Sequence, residues 1–88
     1  MIPTAKILVI DDDTAITELM GMLLKTFGFE VLTTNISAEG IKLAREENPN
    51  VVLLDLMMPE LDGWQVCKAI RQTSNVPILI LSAINDPR

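Results

Sequence analysis

Val51-Val52-Leu53-Leu54-Asp55-Leu56-Met57-Met58-Pro59 is the stretch that decides the fold of this chain. Four branched apolar residues in a row, shortly after Pro49, are typical of a strand buried on both faces, as in a parallel sheet covered by helices. The strand ends on a carboxylate, Asp55, and a loop follows. Because the chemistry of open α/β sheets lies just outside the carboxyl ends of the strands, Asp55 is a candidate site residue.

Length and composition restrict the class of protein. The chain has 88 residues, a net charge of −5 and 49% hydrophobic residues, which fits a single small domain over residues 1–88. The acidic charge disfavours nucleic acid and anionic membranes as partners, and no apolar run approaches the roughly eighteen residues of a membrane-spanning helix. One cysteine and no histidine provide neither a disulfide nor zinc-ligand spacing. Without a signal-peptide pattern, we expect a cytoplasmic protein.

Strands and helices are predicted to alternate along the chain. Buried strands are expected over 5–10, 51–54 and 76–81, with a short strand over 29–33. Between them, helices are expected from about residue 14 to Gly28, from Ser37 to about Glu47, and from Asp62 to about 72. The apolar stripe of the first helix consists of Ile16, Leu19, Met20, Leu23, Leu24 and Phe27. This alternation predicts an α/β fold with a parallel sheet and right-handed crossovers.

Polar residues precede each predicted helix and are candidate N-caps. Asp13 or Asp12 can cap the first helix and Ser37 the second, while Asp62 with Gln65 has the spacing of a capping box before the third. These caps offer an ordinary structural role for acids that follow strands. Asp13 is best explained in this way.

Asp11, Asp12 and Asp55 are harder to explain as caps, because acids end two strands independently. In a doubly wound sheet of order 2-1-3-4 the first and third strands are neighbours, so these acids share one crevice, with Ser82 at its flank. Two carboxylates about 4 Å apart repel by about 4 kcal/mol at an effective dielectric near 20. A cation or raised pKa values must therefore compensate, and Mg²⁺ binds carboxylates, water and phosphoryl oxygens.

A carboxylate beside a divalent cation can attack phosphorus and form an acyl phosphate. In that interpretation Asp55 is the nucleophile, and the Ser82 hydroxyl is placed to donate a hydrogen bond to a phosphoryl oxygen. The alternative is that Asp12 caps the first helix and Asp55 points into water. Ser82 alone would be an ordinary loop residue.

Three blocks of the sequence resemble the receiver domain of two-component response regulators. They are Lys6 to Asp13, Val52 to Pro59 with Asp62-Gly63, and Val76 to Ala83, in order and at the expected spacing over essentially the whole chain. The resemblance implies a flavodoxin-like, doubly wound sheet of order 2-1-3-4. It also implies a signalling domain that is not an enzyme beyond self-phosphorylation and self-dephosphorylation.

The resemblance further implies roles for individual residues. Asp55 would accept a phosphoryl group from a histidine kinase or a phosphotransfer protein. Asp12 and Asp55 would bind Mg²⁺ together with the backbone carbonyl of Met57, Asp11 would assist through water, and Ser82 would be the switch hydroxyl. Met57 and Ile84 stand where family members tune dephosphorylation. Because their apolar side chains cannot orient an attacking water, we expect a long-lived phosphoryl group.

The sequence departs from the family pattern after the fourth strand. A complete receiver continues through a fourth helix, a fifth strand and a fifth helix, which also bring a lysine that pairs with the phosphoryl group. None of Lys6, Lys25, Lys42 and Lys68 matches that position. With the fifth strand and last two helices missing, strand 76–81 would be an open edge, so we expect self-association through it, as a dimer or a swapped assembly.

Other functions stay open from the sequence alone. A truncated or engineered receiver, impaired in phosphorylation, could act only as a folding or association module. A phosphatase of the haloacid dehalogenase type also uses an aspartate and Mg²⁺, but Ala15 stands in the last place of its motif. A flavodoxin-like FMN binder would need a hydroxyl- and glycine-rich loop after the first strand, where three acids would repel the phosphate.

Overall fold

The computed structural model describes residues 4–56, 58 and 61–81, which form a four-stranded parallel sheet with three helices. The elements are β1 (Lys6–Ile10), α1 (Thr14–Thr26), β2 (Glu30–Thr34), α2 (Ser37–Glu46), β3 (Val51–Leu54), α3 (Gly63–Arg71) and β4 (Ile78–Ile80). The strand order is β2-β1-β3-β4, with every pairing parallel. The predicted α/β fold and its strand order are confirmed.

Strands β1 and β3 form the centre of the sheet. Ile10 pairs with Leu54 in their register, and the side chains of both are fully buried. One face of the sheet packs against α2 and α3 through Ala44, Val66 and Ile70. The other face packs against α1 through Met20 and Leu24, which lie beside Ile7, Val9 and Leu53. Helices therefore cover both faces, and the predicted burial of β1 and β3 on both sides is confirmed.

The contact face of α1 differs from the predicted stripe. Thr17 and Gly21 are its buried residues, whereas Phe27 is 75% exposed and Leu23 47% exposed. This face of the helix packs against β2, where a Cβ at Gly21 would make an ordinary contact with Thr33 Cγ2 at 3.6 Å. The apolar periodicity located the helix correctly but placed the centre of its buried face about a quarter turn away from where it lies.

Strand β4 is shorter and more exposed than predicted. It covers Ile78–Ile80 instead of 76–81, since Pro77 has no N–H to continue the ladder. Leu79 is 56% exposed, so the prediction that this strand is buried on both faces is wrong for that side chain. Within the described residues β4 pairs only with β3, and its other edge is open.

The helix caps follow the prediction in two cases of three. Asp13 accepts a hydrogen bond from Ala15 N at 2.9 Å, and Asp62 accepts one from Gln65 N at 2.9 Å. The prediction for Ser37 is wrong, because Ser37 is the first residue of α2 and Ile36 occupies the cap position without a side-chain bond. The Ser37 hydroxyl instead donates to the carbonyl oxygen of Leu61 at 3.1 Å. Across the part of the chain that the structure describes, no helix has the length and apolar character to span a membrane.

Candidate functional site

The site lies where the central strands end. The Asp11 N–H donates to Thr34 O at 3.1 Å, and the Asp55 N–H donates to Ile10 O at 2.9 Å. Each bond continues the sheet ladder one residue beyond a strand. As a result, Asp11 and Asp55 leave two adjacent strands at the same edge of the sheet.

Three carboxylates meet at this edge. Carboxylate oxygens of Asp11, Asp12 and Asp55 all lie within 4.8 Å of one another. Asp11 and Asp55 are each only 6% exposed, while Asp12 is exposed to solvent. The predicted meeting of the three acids is confirmed, and the individual roles assigned to them stay predictions.

Burial and the neighbouring acids raise the pKa of Asp11. Burial of the carboxyl is the largest cause that raises the pKa of Asp11 from 3.8 to about 6. The hydrogen bond from the Asp13 N–H, at 2.9 Å from Asp11 Oδ1, acts in the opposite direction. The negative charges of Asp55 and Asp12 and a hydrogen bond with Asp55 raise the pKa further. Burial and the neighbouring carboxylates thus both disfavour the charged form of Asp11.

The donor set fits a small, hard cation. Mg²⁺ binds oxygen ligands at about 2.0–2.1 Å in an octahedron, so neighbouring ligand oxygens stand about 3 Å apart and opposite ones about 4 Å apart. The carboxylate oxygens lie within 4.8 Å of one another, which is close to these spacings. Because Asp12 is exposed and the other two acids are buried, water can complete the coordination from the solvent side.

Asn35 is a contributor that the sequence analysis missed. Its Nδ2 donates to the main-chain oxygen of Asp11 at 2.8 Å and to Thr17 Oγ1 at 3.1 Å. Asn35 directly follows β2, the strand that neighbours β1 on the side opposite β3. Its position at the carboxyl end of a neighbouring strand was the signal that could have identified it.

Gly63 permits the close contact between α3 and the end of β3. Its N–H donates to Leu56 O at 2.9 Å, and a Cβ at this position would lie 2.7 Å from the carbonyl oxygen of Asp55. A residue without a side chain is therefore required where α3 begins against the Asp55–Leu56 backbone.

Three residues named in the sequence analysis are not described by the structure, and Lys6, which does not match the family's lysine, lies away from the site. Met57, Ser82 and Ile84 fall outside the described residues. Lys6 lies at the opposite end of β1, where its Nζ is 3.4 Å from Glu47 Oε1 and 3.9 Å from Glu30 Oε2. It is therefore far from the acidic cluster.

Comparisons with known proteins agree with this geometry. The sequence model of the family described as "Response regulator receiver domain" matches residues 7–88. The chain is 43% identical over 81 residues to the probable transcriptional regulator ycf27 of Porphyridium aerugineum, covering 92% of this chain and 34% of that protein. It is 41% identical over 80 residues to the transcriptional regulatory protein AfsQ1 of Streptomyces coelicolor, covering 91% and 36%. The chain thus spans about a third of the length of these curated relatives.

Solved structures show the same fold. The receiver domain of the Francisella response regulator 1452 superposes with a TM-score of 0.86 at 33% identity, covering 96% of this chain and 70% of that one. The Vibrio cholerae chemotaxis protein CheY4 superposes with a TM-score of 0.83 at 31% identity, covering 89% and 68%.

Proposed function

Because this chain belongs to the response regulator receiver domain family, we propose that it accepts a phosphoryl group on Asp55 in a Mg²⁺-dependent reaction. The donor is a histidine kinase or a phosphotransfer protein. The observation that carries the proposal is the convergence of three carboxylates from two adjacent strand ends, all within 4.8 Å. A solvated cap would not require acids on both strands.

The metal ligands in this proposal are Asp12 and Asp55, with the backbone carbonyl of Met57 and with Asp11 acting through water. Mg²⁺ at this position supplies positive charge that offsets repulsion among the carboxylates and the incoming phosphoryl oxygens. Burial raises the pKa of Asp11, which supports an indirect role for this carboxyl, through water, in the proposed site. Asp13 is excluded from the set because its carboxylate caps α1.

Asp55 is the nucleophile in the proposed reaction. One of its carboxylate oxygens forms a bond to phosphorus while the bond from phosphorus to the imidazole nitrogen of the donor breaks, and the imidazole nitrogen keeps that electron pair. The low exposure of Asp55 limits the access of water to the acyl phosphate. Ser82 completes the proposal as the hydroxyl that binds a phosphoryl oxygen, and Met57 and Ile84 leave the attacking water without a polar partner.

The wider role is that of a signalling domain over residues 1–88, which turns over no substrate beyond its own phosphorylation and dephosphorylation. A cytoplasmic location is part of the proposal, and the donor would have to be present in the same compartment to reach Asp55. The net charge of −5 supports protein partners over direct binding to nucleic acid. Self-association through strand 76–81 is part of the proposal, supported by the open edge of β4 in the described sheet.

A phosphorylation assay tests the function. The chain is incubated with Mg²⁺ and acetyl phosphate, and intact mass is compared for the wild type, Asp55→Asn and Asp62→Asn. The last variant is a matched control, because Asp62 caps α3 and asparagine is an equally good cap. We expect one added phosphoryl group in the wild type and the control, and none in Asp55→Asn.

The same assay, with Asp11→Asn added, separates the competing functions. Labelling that depends on Asp11 and persists in Asp55→Asn would support the dehalogenase-type phosphatase. No labelling of the wild type would support the association module and contradict the proposal.

A further inference from the structure

The side-chain amide of Asn35 donates two hydrogen bonds to the segment between β1 and α1, which carries Asp11 and Asp12. One hydrogen bond goes to the main-chain oxygen of Asp11 at 2.8 Å and the other to Thr17 Oγ1 at 3.1 Å. Both partners are acceptors here, because the Thr17 hydroxyl donates its own hydrogen to Thr14 O at 3.0 Å. The amide nitrogen, and not the amide oxygen, must therefore face the loop.

The hydrogen bond to the Asp11 carbonyl oxygen also restricts the position of Asp12. The Asp11 carbonyl belongs to the planar peptide that joins these two residues, so fixing that oxygen fixes the N and Cα atoms of Asp12 and restricts where its side chain can reach. The Asp11 N–H is held on its other side by Thr34 O at 3.1 Å. Within residues 4–56, 58 and 61–81, no hydrogen bond to the Asp12 carboxylate is found, so among these residues the backbone is what positions it.

The bond to Thr17 fixes the other end of the loop. Thr17 is 4% exposed in the first turn of α1, so Asn35 links the end of β1 to the start of the helix. Repulsion among the three carboxylates tends to spread this loop in the absence of a cation. A link across its base opposes that movement and keeps the ligands close before the metal arrives.

We propose that Asn35 is a positioning residue for the Mg²⁺ site: its amide holds the Asp11–Asp12 peptide so that the Asp12 carboxylate meets Asp55. This inference rests on the proposed function in so far as Mg²⁺ binds these acids. Groups that orient metal ligands without contacting the metal commonly have large effects on affinity.

Asn50 offers a matched control. Its Oδ1 accepts a hydrogen bond from Lys6 N at 2.7 Å, so it too is an asparagine whose side chain holds the main chain of β1, but at the opposite end of the strand. Replacing either residue by alanine removes the same kind of bond. Only Asn35→Ala removes it beside the acids.

The first measurement is Mg²⁺ affinity by isothermal titration calorimetry on the full chain. We expect the dissociation constant of Asn35→Ala to rise about 10-fold, at the lower end of the range for groups that orient metal ligands, and that of Asn50→Ala to stay near the wild-type value. Equal affinity of Asn35→Ala and wild type, or equal weakening in both variants, would overturn the positioning role. A wild-type chain that binds no Mg²⁺ would overturn the proposed metal site and this inference with it.

The second measurement needs no metal. The Asp13 N–H donates to Asp11 Oδ1 at 2.9 Å, so its hydrogen exchange reports on the order of the loop. In EDTA, we expect exchange at Asp13 to accelerate several-fold in Asn35→Ala and to stay unchanged in Asn50→Ala. Unchanged exchange in Asn35→Ala would show that the loop keeps its geometry without the amide, and would contradict the proposal.

Discussion

The N–H of Asp55 donates to the carbonyl oxygen of Ile10 at 2.9 Å. This bond lies one residue beyond the β1–β3 pairing, which ends with Ile10 opposite Leu54. It holds the proposed phosphoacceptor against the residue that precedes Asp11. The close approach of Asp11 and Asp55 is thus a consequence of the parallel register of β1 and β3. Holding these carboxylates close together costs free energy when they are ionised.

Metal-free protein should lose stability as pH rises through the titration of Asp11. The pKa of Asp11 in the folded protein, about 6, lies above its ordinary value of 3.8. The folded state therefore binds more protons between these values, and the associated stability is present below about pH 4 and lost above about pH 6. We expect Asp11→Asn to be more stable than wild type at pH 7 in EDTA by about 1 kcal/mol, after allowance for solvent screening.

Urea unfolding of both proteins in EDTA at several pH values measures this difference. Mg²⁺ should reduce it by stabilising the ionised cluster of the wild type. An Asp11→Asn chain that is less stable than wild type at every pH would contradict the destabilising role of the buried carboxylate.

Ser37 gives a second prediction, because its two possible roles respond differently to aspartate. At an N-cap position, Ser37→Asp would be nearly neutral. In the structure, Ser37 is 2% exposed and donates to Leu61 O at 3.1 Å, and an ionised carboxylate there can only accept. We expect Ser37→Asp to lower the free energy of unfolding by about 2 kcal/mol or more.

Thermal or urea unfolding checks the Ser37 prediction, with Asp62→Ser as the control, since Asp62 is a true cap and serine can replace it. A neutral effect of Ser37→Asp would restore the capping role expected from the sequence.

How much of the structure can be predicted from the sequence depends on what each pattern encodes. Runs such as Val51 to Leu54 encode burial on both faces, and parallel strands bring their carboxyl ends together, so the meeting of Asp11 with Asp55 was predictable. The apolar periodicity of α1 indicates a helix but not which part of its surface a neighbouring element covers. The exposure of Phe27 could therefore not be predicted from the sequence. Asn35 could have been placed at the carboxyl end of β2 from the sequence, but its bond joins residues 24 positions apart, and no local pattern indicates which residue it contacts.

The open edge of β4 gives a third prediction. Leu79 is 56% exposed on this strand, and burial of its side chain against a second copy would contribute to association. We expect Leu79→Glu to weaken self-association of the chain by about tenfold, equivalent to about 1.4 kcal/mol. Analytical ultracentrifugation over a range of concentrations measures this. As a control, Met22→Glu adds the same charge at an exposed site on α1 and should leave self-association unchanged. A wild-type chain that is monomeric at all concentrations would refute self-association.

Replacement of glycine by alanine is expected to have opposite effects on stability in α1 and in α3. At Gly63, an added Cβ would lie 2.7 Å from both the Asp55 carbonyl oxygen and Leu56 Cδ2, and the Asp55–Leu56 backbone must move to admit it. We expect Gly63→Ala to lower the free energy of unfolding by about 2 kcal/mol. At Gly21, the added Cβ would lie 3.6 Å from Thr33 Cγ2, an ordinary contact, and alanine favours the helix by up to about 1 kcal/mol.

Urea unfolding of Gly63→Ala and Gly21→Ala measures both signs in one experiment. Because the displaced backbone in Gly63→Ala carries Asp55, its Mg²⁺ affinity should fall as well, whereas Gly21→Ala should bind Mg²⁺ like wild type. Destabilisation by Gly21→Ala would mean that α1 packs on β2 more tightly than the 3.6 Å contact indicates. Normal stability and Mg²⁺ affinity in Gly63→Ala would mean that the end of β3 adapts to the start of α3, and that the position of Asp55 does not depend on this contact.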